Sequence, residues 1–241
     1  MPTKLDEISD GIFRISTFVP VINPPVGFTF NQFLVKGEQP FLFHCGHRKM
    51  FPQIAEAVSR VLPVRELRWI GFSHVEADEC GALDNWLEAA PAATVVHGAV
   101  GCRIWVSDLT DRLRALRDGE TLDLGGKRVR HLDTPQLPHG WDAGLLFEET
   151  SATLFCSDLF AHGGDGPAVT SDDIAATAIE GEDRSQSMSL TPATAPMLRR
   201  LAALAPRTLA VMHGSSYAGK PAAALGALAD HAERKLKSLS S

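Results

Sequence analysis

The stretch "GFSHVEADECG" (residues 71–81) sets His74, Glu76 and Asp78 at alternate positions directly after the apolar run "LRWIGF". In an extended segment, residues two apart point to one side, so these three side chains converge on one point. The tight exit at Gly81 argues against a helix before that position. Like charges gathered in this way repel one another unless a cation neutralises them. Three further stretches place an ionisable residue beyond a predicted strand: His139 in "QLPHGWD", Asp158 after "ATLFCS" and His213 after "TLAVM". Where strands run alike, ligands gather outside their carboxyl edge. The pattern is that of a metal site.

Three imidazoles and three carboxylates exceed the four donors of a single tetrahedral zinc. They suit two five- or six-coordinate ions that share one carboxylate. A donor set this rich in carboxylate leans towards iron or manganese and leaves zinc open. Two divalent ions carry four positive charges, and three carboxylates offset three of them. A bridging hydroxide or oxo group completes the balance. Glu79, next to Asp78, is a further candidate ligand. Tyr217 is the only tyrosine and lies four residues after His213. It is a candidate donor to a metal-bound oxygen species, and Trp141 a candidate wall of the pocket. Asp142 is placed to orient a ligand imidazole, since ligating histidines donate their second N–H to an acceptor. His162 is a candidate for the entrance. Cys80 and Cys156 read as packing residues, and "GGDGP" and "AGKP" lack the full phosphate-loop pattern.

Positioning these residues requires a scaffold of strands and helices. "IFRISTF", "FTFNQFLV" and "PFLFHCG" read as strands, rich in β-branched and aromatic residues and bounded by Pro and Gly. Phe51, Ile54, Val58 and Leu62 fall on one face of a helix. "LRWIGFS" is a buried strand, "GALDNWLEAA" a helix and "ATVVHG" a strand. "ETLDLGGKRVRHLDT" reads as a hairpin about Gly125–Gly126. "GLLFEETSATLFCSD" reads as two strands, followed by a Gly-rich loop from Ala161 to Ser171. Helices near 172–181 and 192–204, the strand "TLAVMHG" and a terminal helix complete the order. It fits two packed sheets with helices outside them.

With 241 residues and 44% hydrophobic residues, the chain has ample material for a core. A net charge of -6 without a Lys/Arg cluster gives no footprint for nucleic acid or an anionic membrane. No apolar run reaches the roughly 18–20 residues of a membrane span. The charged N-terminus lacks a signal core, and the four cysteines form no CxxC pair. The expectation is a cytoplasmic protein with free thiols.

His74, Glu76, Asp78, His139, Asp158 and His213 follow the intervals of the metallo-β-lactamase superfamily, whose general pattern is HxHxDH, a distant His, an acidic bridge and a final His. The resemblance spans nearly the whole chain, including "GETLDLGGKRVRHLDTP" and "LFCSDLF". It implies an α/β fold, the metallo-β-lactamase-like αββα four-layer sandwich. Hydrolases of the superfamily carry His where this chain has Glu76, whereas HxExD resembles flavodiiron proteins and their oxygen-binding diiron relatives. The resemblance implies one iron on His74, Glu76 and His139, a second on Asp78 and His213, and Asp158 between them. Two residues depart from the pattern. Glu79 stands where His is common, and the usual Asp-Thr-Gly turn is here His44, Cys45 and Gly46.

The implied protein is a single domain over residues 1–241, without a flavodoxin domain or FMN. It would bind or reduce dioxygen or a related small oxidant, as a sensor or as a reductase fed by a separate electron-donor protein. A signalling partner and a homodimer are implied as well. The alternative is a dinuclear zinc or manganese metallohydrolase.

Overall fold

A computed structural model describes residues 2–239. In the first sheet, β1 (Thr3–Ser9), β2 (Ile12–Val19), β3 (Phe28–Val35) and β4 (Phe41–Phe43) pair antiparallel in turn. β5 (Trp69–Gly71), β6 (Thr94–Gly98) and β7 (Leu113–Leu116) extend it in parallel. The second sheet holds β8 (Thr121–Asp123), β9 (Arg128–Asp133), β10 (Gly144–Glu148), β11 (Thr153–Ser157), β12 (Val169–Thr170), β13 (Thr208–Val211) and β14 (Ser216–Tyr217). Its order is β12-β14-β13-β11-β10-β9-β8. β10 is antiparallel to β9 and β11, and β11 is parallel to β13, so β9, β11 and β13 run alike.

Alternation along the strands makes the layers. Phe41 and Phe43 of β4 turn inward to meet Leu146 and Phe155 of the opposite sheet, while Leu42 between them turns outward. Full burial of such a side chain is worth about 1.5–3 kcal/mol. On the outer face, Leu42 joins Ile54 and Val58 of α1 (Phe51–Ser59). The short α2 (Ala77–Cys80) precedes α3 (Leu83–Ala89), whose Trp86 is fully buried in the same cluster. Helical turns α4 (Ala99–Gly101) and α5 (Ser107–Leu109) flank a π-helical stretch. α6 (Ile174–Ser185), α7 (Thr194–Ala203) and α8 (Pro221–Leu239) cover the second sheet through Ala178, Leu198, Leu201 and Leu228. Helix, sheet, sheet and helix therefore stack as αββα.

The hairpin at Gly125 and Gly126 forms as its residues require. Both glycines have positive φ (71° and 88°), the condition for a tight type I′ connection. One local expectation is corrected. Residues 74–78 are not one extended run, because Glu76 (φ -145°, ψ 159°) ends the extended part and α2 begins at Ala77. Acidic Asp78 and Glu79 sit in the first turn of this helix, where its unpaired N–H groups favour negative charge. Among the described residues, no helix is long and apolar enough to cross a membrane.

Candidate metal centre

Four chain segments deliver the donors to one edge of the sandwich. β5 leads into His74, β9 into the loop carrying His139, β11 directly into Asp158, and β13 into His213. The break at Glu76 divides the first motif. Its extended half carries His74 and Glu76 to one side of the site, and the turn of α2 carries Asp78 to the other.

Two subsites result. Glu76 Oε2 lies 3.0 Å from His74 Nε2 and 3.1 Å from His139 Nε2. Asp158 Oδ2 faces the same two nitrogens at 3.6 Å and 3.4 Å. Asp158 Oδ1 turns the other way, 3.1 Å from His213 Nε2, which Asp78 Oδ2 also approaches to 3.3 Å. Donor atoms of His74, Glu76, His139 and Asp158 all lie within 4.8 Å of one another, close enough for one ion. Six of the seven residues expected as ligands thus come together, with Asp158 facing both groups.

Contacts behind the ring leave the Nε2 atoms free for a cation. His213 Nδ1 donates to the Thr29 carbonyl at 2.7 Å, and the Phe28 ring stacks on its imidazole at 4.3 Å. Ser157 Oγ donates to Glu79 Oε1 at 2.7 Å, and Ser73 Oγ donates to Ser157 Oγ at 2.6 Å. Ser73 Oγ is thereby left to accept from His74 Nδ1 at 2.7 Å. These contacts hold a proton on Nδ1 of both imidazoles, so that the neutral form of each presents Nε2 to a metal. The loop after β13 is tied to the first sheet. Asn31 donates to the carbonyls of Val211 (2.8 Å) and Gly214 (2.9 Å), and buried Arg14 donates to Gly214 O at 2.9 Å. None of Thr29, Asn31, Ser73 or Ser157 stood out as functional in the sequence. The available signal was Thr29 and Asn31, which with Gln32 are the polar residues of the largely apolar run "FTFNQFLV".

Glu79 is a correction. Its carboxylate is fully buried behind His74, where it pairs with His44 Nδ1, accepts from Ser73 N at 3.0 Å and stays 3.8 Å from His74 Nδ1. It faces the back of the imidazole, not the donor cluster. Tyr217 is corrected as well. It packs in the core beneath α6–α8, and its hydroxyl accepts from the Lys220 N–H at 2.9 Å. Trp141 is 45% exposed and leans towards Trp105, with ring centroids 6.4 Å apart, rather than walling the cavity. Asp142 faces His97, at 4.0 Å, instead of a site imidazole. His162 does line the cavity, where it accepts from Ser215 N at 2.9 Å. Burial pushes the Cys80 thiol up to about 11 and the Cys156 thiol higher still, as suits packing residues.

The electrostatics ask for positive charge. Burial disfavours protonated His74, but Glu79, Glu76 and Asp158 outweigh it and push the pKa up to about 9. At His213 burial is likewise overcome, by Asp158 and Asp78, and the pKa rises to about 10. Hydrogen bonds with His139 and His74 hold the Glu76 carboxyl well below the ordinary carboxylate range. Glu79 stays ionised against its burial because His44 and His74 face it. Without a metal the imidazoles gather protons to balance the carboxylates, a task that cations perform with better geometry.

A cavity of about 670 Å³ opens over the cluster. Glu76, Asp78, His139, Asp158 and His213 form its floor, and Phe28, Phe30, Leu159 and Phe160 its nearer walls.

Residues 28–214 match the family model described as ODP family beta lactamase. A putative diflavin flavoprotein of Synechocystis is 30% identical over 56% of this chain and 24% of its own length. The rubredoxin-oxygen oxidoreductase of Megalodesulfovibrio gigas is 23% identical over 81% of this chain and 50% of its own length. The chain therefore spans about a quarter to a half of these curated relatives. Among solved structures, a variant of the flavo di-iron protein of Thermotoga maritima superposes with a TM-score of 0.84. It is 19% identical over 96% of this chain and 62% of that one, a likeness of fold.

Proposed function

The chain belongs to the ODP beta-lactamase family, and from that premise we propose that it holds two iron ions and binds or reduces dioxygen. The observation that carries this reading is Asp158, whose two oxygens face separate groups of donors. His74, Glu76, His139 and Asp158 Oδ2 would hold one ion. Asp78, His213 and Asp158 Oδ1 would hold the other. Hard carboxylates mixed with imidazoles suit iron in this arrangement, and the inward Nε2 atoms support the fit. Two ferrous ions, when bound, would supply electrons and open positions to dioxygen entering through the cavity.

The chain's own residues do the remaining work. Ser73 and the Thr29 carbonyl orient His74 and His213, Glu79 anchors Ser73 from behind, and Phe28 shields His213 from water. The second group has three protein donors against four in the first, because Glu79 stands turned away. That leaves more room for an oxidant on the His213 side. A separate donor protein supplies electrons in this reading, a role in keeping with the relative named for rubredoxin and oxygen. A second copy of the chain is the proposed partner for the apolar surface at Val100, Ile104, Trp105 and Trp141, each more than 40% exposed.

Anaerobic ferrous protein mixed rapidly with dissolved oxygen tests the proposal. Repeated oxygen consumption with a reduced rubredoxin-type donor identifies a reductase, and a single persistent adduct identifies an oxygen binder. Absence of any oxygen-dependent absorbance change contradicts both.

A further inference from the structure

The cavity is far larger than a diatomic oxidant needs. Its volume of about 670 Å³ falls within the roughly 300–1,000 Å³ of pockets that hold organic molecules. From the donor cluster it runs on past Leu159 and Phe160 to Ala178 and Gly181 of α6, Met188, and Leu228 of α8. Ala178 and Leu228 are core residues, 6% and 3% exposed, so this trough reaches into the layer between the second sheet and its helices. Gly181 keeps it open. A Cβ added there would meet only the Ala161 carbonyl oxygen, at 3.9 Å. A polar donor cluster at one end and a mostly apolar lining beyond it, with Glu182 and the exposed Thr177, Arg184, Ser185 and Ser187 also along it, match an amphipathic molecule with an oxygen-rich head.

We propose that the trough beside the donor cluster takes the apolar body of an organic hydroperoxide, with its –OOH group over Glu76, Asp78 and His213. This rests on the reading above of a metal centre that reduces oxygen species. The O–O bond breaks. Two electrons from the one-electron donor protein and two protons from solvent convert ROOH to ROH and water.

Cumene hydroperoxide and its unreactive alcohol, 2-phenyl-2-propanol, are suitable probes. The alcohol is titrated into metal-free and iron-loaded protein by calorimetry and protein NMR, with Gly181→Ala, Gly181→Leu and Gly181→Phe compared. Gly181 lies within a helix and has no left-handed φ, so all three substitutions suit the backbone. The expected result is saturable binding to the parent chain that weakens as the new side chain grows, by about tenfold or more at Phe, because its bulk occupies the apolar space that the ligand needs. The ratio of hydroperoxide to dioxygen turnover falls in the same order. Absence of alcohol binding, affinity indifferent to the size of residue 181, or binding without hydroperoxide turnover each overturns the proposal. The dioxygen arm separates the two readings. Dioxygen turnover without alcohol binding removes this inference alone, whereas loss of turnover with both oxidants removes the oxygen chemistry beneath it.

Discussion

Glu76 and Glu79 stand three residues apart, and burial divides their work. The Glu76 side chain is 51% exposed and holds His74 and His139, whereas Glu79 is fully buried against His44 and two serines. Exposed pairs are worth about 1 kcal/mol or less to folding, but breaking a buried pair costs about 3–5 kcal/mol. Glu76→Ala should therefore lower metal content while the metal-free protein unfolds at nearly the parent urea concentration. Glu79→Ala should lose several kcal/mol of stability, and the milder Glu79→Gln should weaken metal binding ~10–100-fold through its hold on Ser73 and His74. Elemental analysis with urea unfolding separates the two residues, and a Glu79→Ala chain as stable as the parent would refute the anchoring role. The histidines set the pH dependence. Carboxylates raise His74 to about 9 and His213 to about 10 against their burial, so the stability these groups add is complete below about 6.5 and fades as pH rises through 9–10. Metal must displace those protons. At pH 7 calorimetry in buffers of different ionisation enthalpy should find about two protons released from this pair per filled centre, and affinity should climb until about pH 10.

Elements position what residues cannot position alone, and β3 does this across the sandwich. Its Asn31 satisfies the carbonyls of Val211 and Gly214 on either side of His213. Asn31→Leu should cost about 1–3 kcal/mol by taking this donor from the Val211 carbonyl and leaving the Gly214 carbonyl to Arg14 alone. It should also speed release of the ion on the His213 side relative to the parent while leaving the other ion's release unchanged, as chelation monitored by metal content would reveal. Equal loss from both subsites would contradict that division. The strands that aim the donors were legible in "FTFNQFLV", "ATLFCS" and "TLAVM" because β-branched and aromatic runs end sharply at polar residues. His74, Glu76, Asp78, His139, Asp158 and His213 were legible for the same reason, since each follows such an ending. β1, β7 and the turns from Ala99 to Leu109 carry weak patterns and were not. Glu79 and Tyr217 misled because spacing along the chain does not say which way a side chain turns. The first turn of α2 swings Glu79 behind His74, and the Lys220 N–H draws the Tyr217 hydroxyl away.

At the scale of the whole molecule, two sheets bring donors from residues 74 to 213 to one edge, beneath a cavity and beside exposed tryptophans. Light scattering should find a dimer, and Trp105→Glu should shift it to monomer, because a charge within an apolar contact is costly. A parent chain already monomeric at high concentration would rule out that surface as a self-contact. Unequal donor sets predict unequal affinities, so iron should fill the four-donor group first in a titration followed by Mössbauer spectroscopy. A two-iron centre is tested by the metal content of protein purified without added metal, paired with its absorbance before and after oxygen exposure. About two iron ions per chain, matching the two faces of Asp158, and an absorbance that changes with oxygen are expected. About two zinc ions per chain with a spectrum indifferent to oxygen would contradict the two-iron centre.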